Sequence, residues 1–268
     1  MQQAYAELEH RVEERTAALH HEMAERQRLE YEAQRAQHFA LLERLAAGVS
    51  HEIRNPLGVI FLHVDLLEEE LYEPSPHSTA ALSAALAEVK TQLARLDDLV
   101  QDYLSLVRMG NIERTPQDVG AVVQSWAKEW QGLTMTRGVT FQLEGCEDLG
   151  QVALHESTLR RAVLNLVQNA LDAMPQGGTL SLVGHRTPTH VQLQVRDSGG
   201  GISPDHLPKI FEPLFTTKPG GTGLGLYIVH EIMAAHEGQV TVESICGRGT
   251  TFSLILPSAI ATASASPT

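Results

Sequence analysis

Between Leu82 and Val107 the apolar residues Leu82, Leu86, Val89, Leu93, Leu96, Val100, Tyr103 and Val107 alternate by steps of four and three without a miss. This strict a/d seam commits the stretch to a long helix whose stripe must be buried against other helices. A second apolar series precedes it, in which Leu42, Ala46, Val49, Ile53, Leu57, Ile60, Val64, Leu67 and Leu71 line one face of a helix expected from about residue 38 to 72. A bend is expected at Pro56, whose ring removes a backbone donor and crowds the preceding turn. Pro74-Ser75-Pro76 separates the two series, so they fold back as an antiparallel hairpin. One hairpin leaves its stripe half covered, and a homodimer closing into a four-helix bundle is the economical remedy.

His51 lies two positions beyond Val49 and two before Ile53, so at roughly 100° per residue it turns away from the seam toward water. An exposed helical histidine beside Glu52 and followed by Asn55-Pro56 has little to offer stability. For His10, His20, His21, His63 and His77, among the 13 histidines, a solvated face is explanation enough.

Residues 1 to about 37 are Ala/Glu/Arg-rich and free of Gly and Pro, which reads as one continuous helix. Tyr5, Leu8, Val12, Leu19, Leu29, Ala33 and Ala36 fall near a and d positions while Arg15, Glu22 and Arg26 interrupt them, the pattern of a weak coiled-coil connector. A net charge of −13 argues against nucleic acid or an anionic membrane as partner. Cys146 and Cys246 have neither disulfide-framework nor zinc spacing, so a reducing, cytoplasmic setting is expected. No apolar run approaches the roughly 18 residues that span a bilayer, and the polar start reads as no signal peptide.

Gly110 and Pro116 mark a change of character. Beyond them the expected elements are helices over 118–130, 156–174 and 222–236, and strands over 138–144, 151–154, 179–185, 190–197, 239–245 and 250–256. That mixture predicts a two-layer α+β sandwich, with helices on one face of a mostly antiparallel sheet. The division expected is a linker helix at 1–37, a helical hairpin at 38–110, an α/β domain at 111–257 and a disordered tail at 258–268.

Three motifs follow in order. Asn165 and Asn169 lie one turn apart on the helix segment Asn165–Met174, where carboxamide oxygens suit a hard cation that keeps most of its ligands as water and phosphate. Asp197-Ser198-Gly199-Gly200-Gly201 follows a strand with Val191, Leu193 and Val195 inward, and a carboxylate there is placed to accept from an exocyclic amine. Gly220-Gly221-Thr222-Gly223-Leu224-Gly225 opens a helix, presenting free N–H groups and a positive dipole end to phosphate. Between the last two, Phe211–Lys218 reads as a lid from which Lys218 reaches a terminal phosphate.

On these motifs the chain, over residues 38 to about 257, resembles a two-component sensor histidine kinase. His51–Leu57 is similar to the H-box, Asn165–Asn169 to the N-box, Asp197–Gly201 to the G1 box, Phe211–Phe215 to the F box and Gly221–Leu226 to the G2 box of the family. Asn-Ala-Leu-Asp-Ala-Met and the short Phe-Thr-Thr-Lys lid are similar to the nitrogen-regulation type. The resemblance implies a HisKA-type dimerisation domain followed by an ATP-binding domain of Bergerat fold. It further implies that Asn169 binds Mg²⁺, Asp197 binds the adenine amine, His51 takes the γ-phosphoryl group, Glu52 helps activate it, and Asn55 helps remove phosphoryl from a response-regulator receiver. Asn165, Asp172, Gly199, Gly201, Lys218, Gly221, Thr222, Gly223, Leu224 and Gly225 complete the implied ATP site, with any sensor domain outside this chain. Many members carry a basic residue just after the N-box asparagine; here Asp172 occupies that neighbourhood, which shifts phosphate contact to Lys218 or to Arg160 or Arg161. The alternatives are an ATPase of the gyrase and Hsp90 type, a serine kinase on the same fold, or a scaffold that binds nucleotide without transfer. The ATPase needs a carboxylate base where this chain has Asn165.

Overall fold

Nothing between Gln2 and Ala47 breaks a helix, and a single helix, α1 (Gln2–Tyr72), runs through both segments expected to be separate and on through Pro56. The structure, a computed structural model, describes residues 2–72, 78–108, 112–218 and 221–258, and gives the backbone alone for parts of α1, for Ser78 and for Arg108. The Pro74–Pro76 loop, Gly110, Gly220 and the tail from 259 therefore lie outside the described residues, as do the side chains of Leu42, Ala46 and His51. The chain divides into two units, Met1–Ala47 and Gly48–Thr268. In the first, Leu19, Met23 and Leu29 are exposed on the helix surface.

In the second unit, α2 (Ser78–Arg108) lies beside the end of α1, with Leu66 and Leu67 facing Leu82 and Ala85 across a small groove. The residues α2 buries are Ala85, Gln92, Leu99 and Leu106, one position before the expected Leu86, Leu93, Val100 and Val107. Those four remain exposed, whereas Leu82, Val89, Leu96 and Tyr103 are half-buried between the two rows. The apolar face of α2 is thus wider than one seam: the described residues cover one edge of it and leave the row of Leu86, Leu93, Val100 and Val107 exposed.

The remaining elements are β1 (Thr115–Asp118), α3 (Val119–Thr136), β2 (Val139–Glu144), β3 (Gln151–Leu154), α4 (Glu156–Asp172), β4 (Gly178–Arg186), β5 (His190–Asp197), a 3₁₀ turn (Leu207–Lys209), α5 (Gly225–Ala235), β6 (Gln239–Ile245) and β7 (Gly249–Pro257). Five strands form one sheet in the order β2-β4-β5-β7-β6, parallel only between β2 and β4. Alternation decides its faces: Val191, Leu193 and Val195 pair with Leu256, Leu254 and Phe252, giving apolar rows buried beneath α3, α4 and α5. Gln192, Gln194 and Arg196 point to the other face.

β1, which sequence periodicity does not reveal, pairs antiparallel with β3 as a separate two-stranded sheet. Asp118 ends β1 and caps α3, its side chain accepting from the Ala121 amide at 3.2 Å. α3 continues past residue 130 to Thr136, with Trp130 and Thr134 buried. α5 starts at Gly225 rather than 222, because Gly223 has φ 66° and the chain cannot enter a right-handed helix before it. The start of α4 is tied to the end of α5: the His155 amide donates to Nε2 of His236 at 3.0 Å, and Nδ1 of His236 bonds the Ile232 carbonyl at 2.7 Å. Burial holds His236 below the usual histidine range, so this link is a neutral one.

Candidate functional site

α4 buries Leu159, Ala162, Val163, Leu166, Val167, Ala170 and Leu171 against the sheet and α5. The remaining face carries Asn165, Gln168, Asn169 and Asp172 to a cleft of about 1320 Å³. Its other walls come from Asp197 at the end of β5, the Phe215–Lys218 segment, the Gly221–Gly223 loop with the start of α5, and Asp102 of α2. All three motifs of the α/β half therefore converge on one space.

Asp197 is buried, and its Oδ1 accepts from the amides of Gly199 at 2.8 Å and Thr250 at 3.3 Å. Its second oxygen takes no hydrogen bond among the described residues, leaving an acceptor for a ligand's amine. Burial raises its carboxyl above the usual range, although the two amides pull the other way. The glycines after it serve close packing: a Cβ on Gly199 would lie 2.6 Å from the Ala173 carbonyl, and one on Gly201 2.3 Å from that of Ile245.

Asn165 Nδ2 donates to the Gly225 carbonyl at 3.1 Å, fixing α4 against the first residue of α5. Thr222 Oγ1 accepts from the Leu224 amide at 3.3 Å, and among the described residues no side chain caps α5, whose N-terminal end faces the cleft with Gly221, Gly223 and Gly225. An uncapped helix start with its dipole aimed into a polar cleft favours an anion there.

Lys218 Nζ donates to Asn169 Oδ1 at 2.7 Å and to Asp172 Oδ2 at 2.9 Å, while Gln168 Nε2 holds the other Asp172 oxygen at 3.2 Å. The ammonium lies between two hard oxygens, and such oxygens are the donor type that suits Mg²⁺. Arg160 and Arg161, the alternatives for phosphate contact, are engaged elsewhere: Arg160 pairs with Glu129, and Arg161 NH2 meets Asp102 Oδ1 at 2.7 Å. Thr222 Oγ1 donates to Asp102 Oδ2 at 3.5 Å, so one carboxylate of α2 touches both α4 and the glycine loop. Desolvation raises the Asp102 carboxyl even with Arg161 beside it, because both groups have left most of their water. Nothing in the local sequence of α2 marks Asp102; only its cross-element partners do.

Of the α1 candidates, Glu52 is half-buried and Asn55 exposed, and neither lines the cleft. Phe211 of the lid segment packs edge-on to Phe252 of β7, with ring centroids 6.4 Å apart, and Phe215 meets His206 at 5.8 Å. Both cysteines are free, and burial pushes the Cys146 thiol up to about 11. No helix among the described residues is long and apolar enough to cross a membrane.

Residues 41–112 match the family model of the His Kinase A (phospho-acceptor) domain, and residues 154–260 that of the histidine kinase-, DNA gyrase B-, and HSP90-like ATPase. The chain is 34% identical over 232 residues to the sensor histidine kinase ZraS of Escherichia coli K12, covering 87% of this chain and 49% of that protein. It is 28% identical over 247 residues to sporulation kinase E of Bacillus subtilis, covering 92% of this chain and 32% of that one. The chain thus spans about half the length of ZraS and less of the sporulation kinase. Among solved structures, the catalytic domain of histidine kinase ThkA matches with a TM-score of 0.50 at 30% identity, over 55% of this chain and 98% of that domain. ThkA in complex with the response regulator protein TrrA matches with a TM-score of 0.70 at 25% identity, over 87% of this chain and 66% of that one.

Proposed function

From the premise that the chain belongs to the two-component sensor histidine kinases, we propose that it phosphorylates His51 from Mg·ATP and passes the phosphoryl group to an aspartate of a response-regulator receiver. One observation carries the reading: the amide, carboxylate and glycine-loop groups suited to metal, amine and phosphate line a single cleft whose remaining wall is a helix of the hairpin, through Asp102.

Asp197 accepts from the adenine amine, and the glycine loop and N-terminal end of α5 receive the phosphates. Asn169, with Asp172 nearby, would hold Mg²⁺, which when bound would supply charge neutralisation for the transfer. Lys218, which bridges Asn169 and Asp172, would be free to contact the terminal phosphate once those oxygens were occupied. A neutral imidazole nitrogen of His51 then attacks the γ-phosphorus; the N–P bond forms as the bond to the ADP oxygen breaks, and Glu52 accepts the ring proton. Asn55 assists removal of phosphoryl from the receiver, which gives the protein phosphatase activity toward the same partner. Residues 38–110 serve as dimerisation and phosphotransfer hairpin, 111–257 as ATP-binding domain and 1–37 as signalling connector, in a cytoplasmic kinase of nitrogen-regulation-like type. Hydrolysis to water is disfavoured, since Asn165 offers no carboxylate and its amide is tied to Gly225.

Incubation with Mg·ATP is expected to leave phosphate on the protein that acid removes and alkali does not, and His51→Gln to abolish it. Phosphate that survives acid would move the reading to a serine or threonine kinase.

A further inference from the structure

Gly48 is the first glycine of α1 and stands in an Ala-Ala-Gly-Val run where alanine would serve the helix better. The structure gives it a reason. A Cβ built there would lie 2.6 Å from Cδ1 of Leu214, so the missing side chain is the seat into which Leu214 fits. Gly58, later in the same helix, has nothing within 4 Å of such a Cβ.

Leu214 adopts φ 66°, a left-handed conformation that a leucine rarely holds unless its surroundings fix it. The glycine loop fixes it from behind: a Cβ on Gly223 would lie 2.4 Å from the Leu214 carbonyl carbon. Leu214 is therefore wedged between the phosphoacceptor helix and the loop that opens α5. The cleft-lining residues Phe215–Lys218 begin directly after it. Position 51 is three residues beyond Gly48, one turn along the same side of α1.

We infer that Leu214 and Gly48 are positioning residues, a knob and seat that register the ATP-binding domain on α1 one turn from His51. The inference rests on the kinase reading and adds to it the contact that sets the distance of transfer. Remote misplacement of about 1 Å costs roughly a hundredfold in rate, so a contact this tight controls turnover rather than nucleotide affinity.

The test uses two substitutions that local propensity favours, each with its fold checked by thermal melt: Gly48→Ala, which fills the seat, and Leu214→Gly, which removes the knob and relieves its backbone. Each is expected to lower the maximal rate of acid-labile self-labelling by roughly tenfold or more, with the half-saturating ATP concentration unchanged. The double variant should be no slower than the slower single one, and Gly58→Ala should label at the parent rate. Parent rates in Gly48→Ala or Leu214→Gly, additive losses in the double variant, or an equal loss in Gly58→Ala would overturn the inference. The contact is also read without the chemistry: with Cys246→Ser, the pair Gly48→Cys and Leu214→Cys should join on mild oxidation by diamide, and no cross-link would equally overturn it. A cross-link in a chain that never labels would leave the seat standing and sink the kinase reading instead.

Discussion

Asp197 combines a functional demand with a structural cost. Its carboxyl is raised by burial, so the native state takes up its proton more readily than the unfolded chain. The stability this group contributes is fully present below the unfolded value of 3.8 and is lost as pH rises through the higher native value. Near neutral pH the buried charge is a burden on the fold. Asp197→Asn is accordingly expected to raise the melting temperature slightly while weakening ATP binding by roughly tenfold to a hundredfold, the worth of one charge-assisted hydrogen bond at about 1.5–3 kcal/mol. Calorimetric titration beside a thermal melt checks both halves. In the parent protein, ATP affinity should fall on acidification before ordinary carboxylates protonate.

At the scale of elements, the pair between Asp102 of α2 and Arg161 of α4 joins the hairpin to the α/β layer with little water around either group. Removing one partner strands the other: Arg161→Leu is expected to lower stability by about 2 kcal/mol, the cost of a buried pair reduced for the exposure both retain. Arg161→Leu with Asp102→Leu should recover most of that loss, as denaturant melts of the three proteins will test. This junction illustrates what local sequence conveys. The strands with strict alternation, such as Val191-Leu193-Val195, and helices with a clear stripe are legible because burial writes a period into them. β1 is not legible, since Thr115–Asp118 starts Thr-Pro, is mostly exposed and owes its existence to β3 across the fold. The end of α3 contains Gly132, Thr134 and Thr136, which look like an ending, yet burial of Trp130 and Thr134 carries the helix on. In the site, Asn169, Asp197 and the glycine loop stand out as residue types in order. The Lys218 bridge, Asp102 and the Leu214 seat do not, because each depends on a partner distant in the chain.

For the whole molecule, the uncovered row on α2 decides assembly. Leu86, Leu93, Val100 and Val107 keep 42–52% of their surface exposed, and a second copy of this chain is their expected cover. Leu93→Glu with Val100→Glu should turn a dimer into a monomer by sedimentation while leaving ATP binding intact, because neither residue lines the cleft. The row also dictates how the two copies must lie. Its members recur every seven residues whereas two helical turns take slightly more, so the row drifts by about 20° with each repeat and winds leftward around its own axis. A neighbour that winds the same way stays in step with the row to Val107. In a dimer wound this way, a twist of one rod would be passed on to the other.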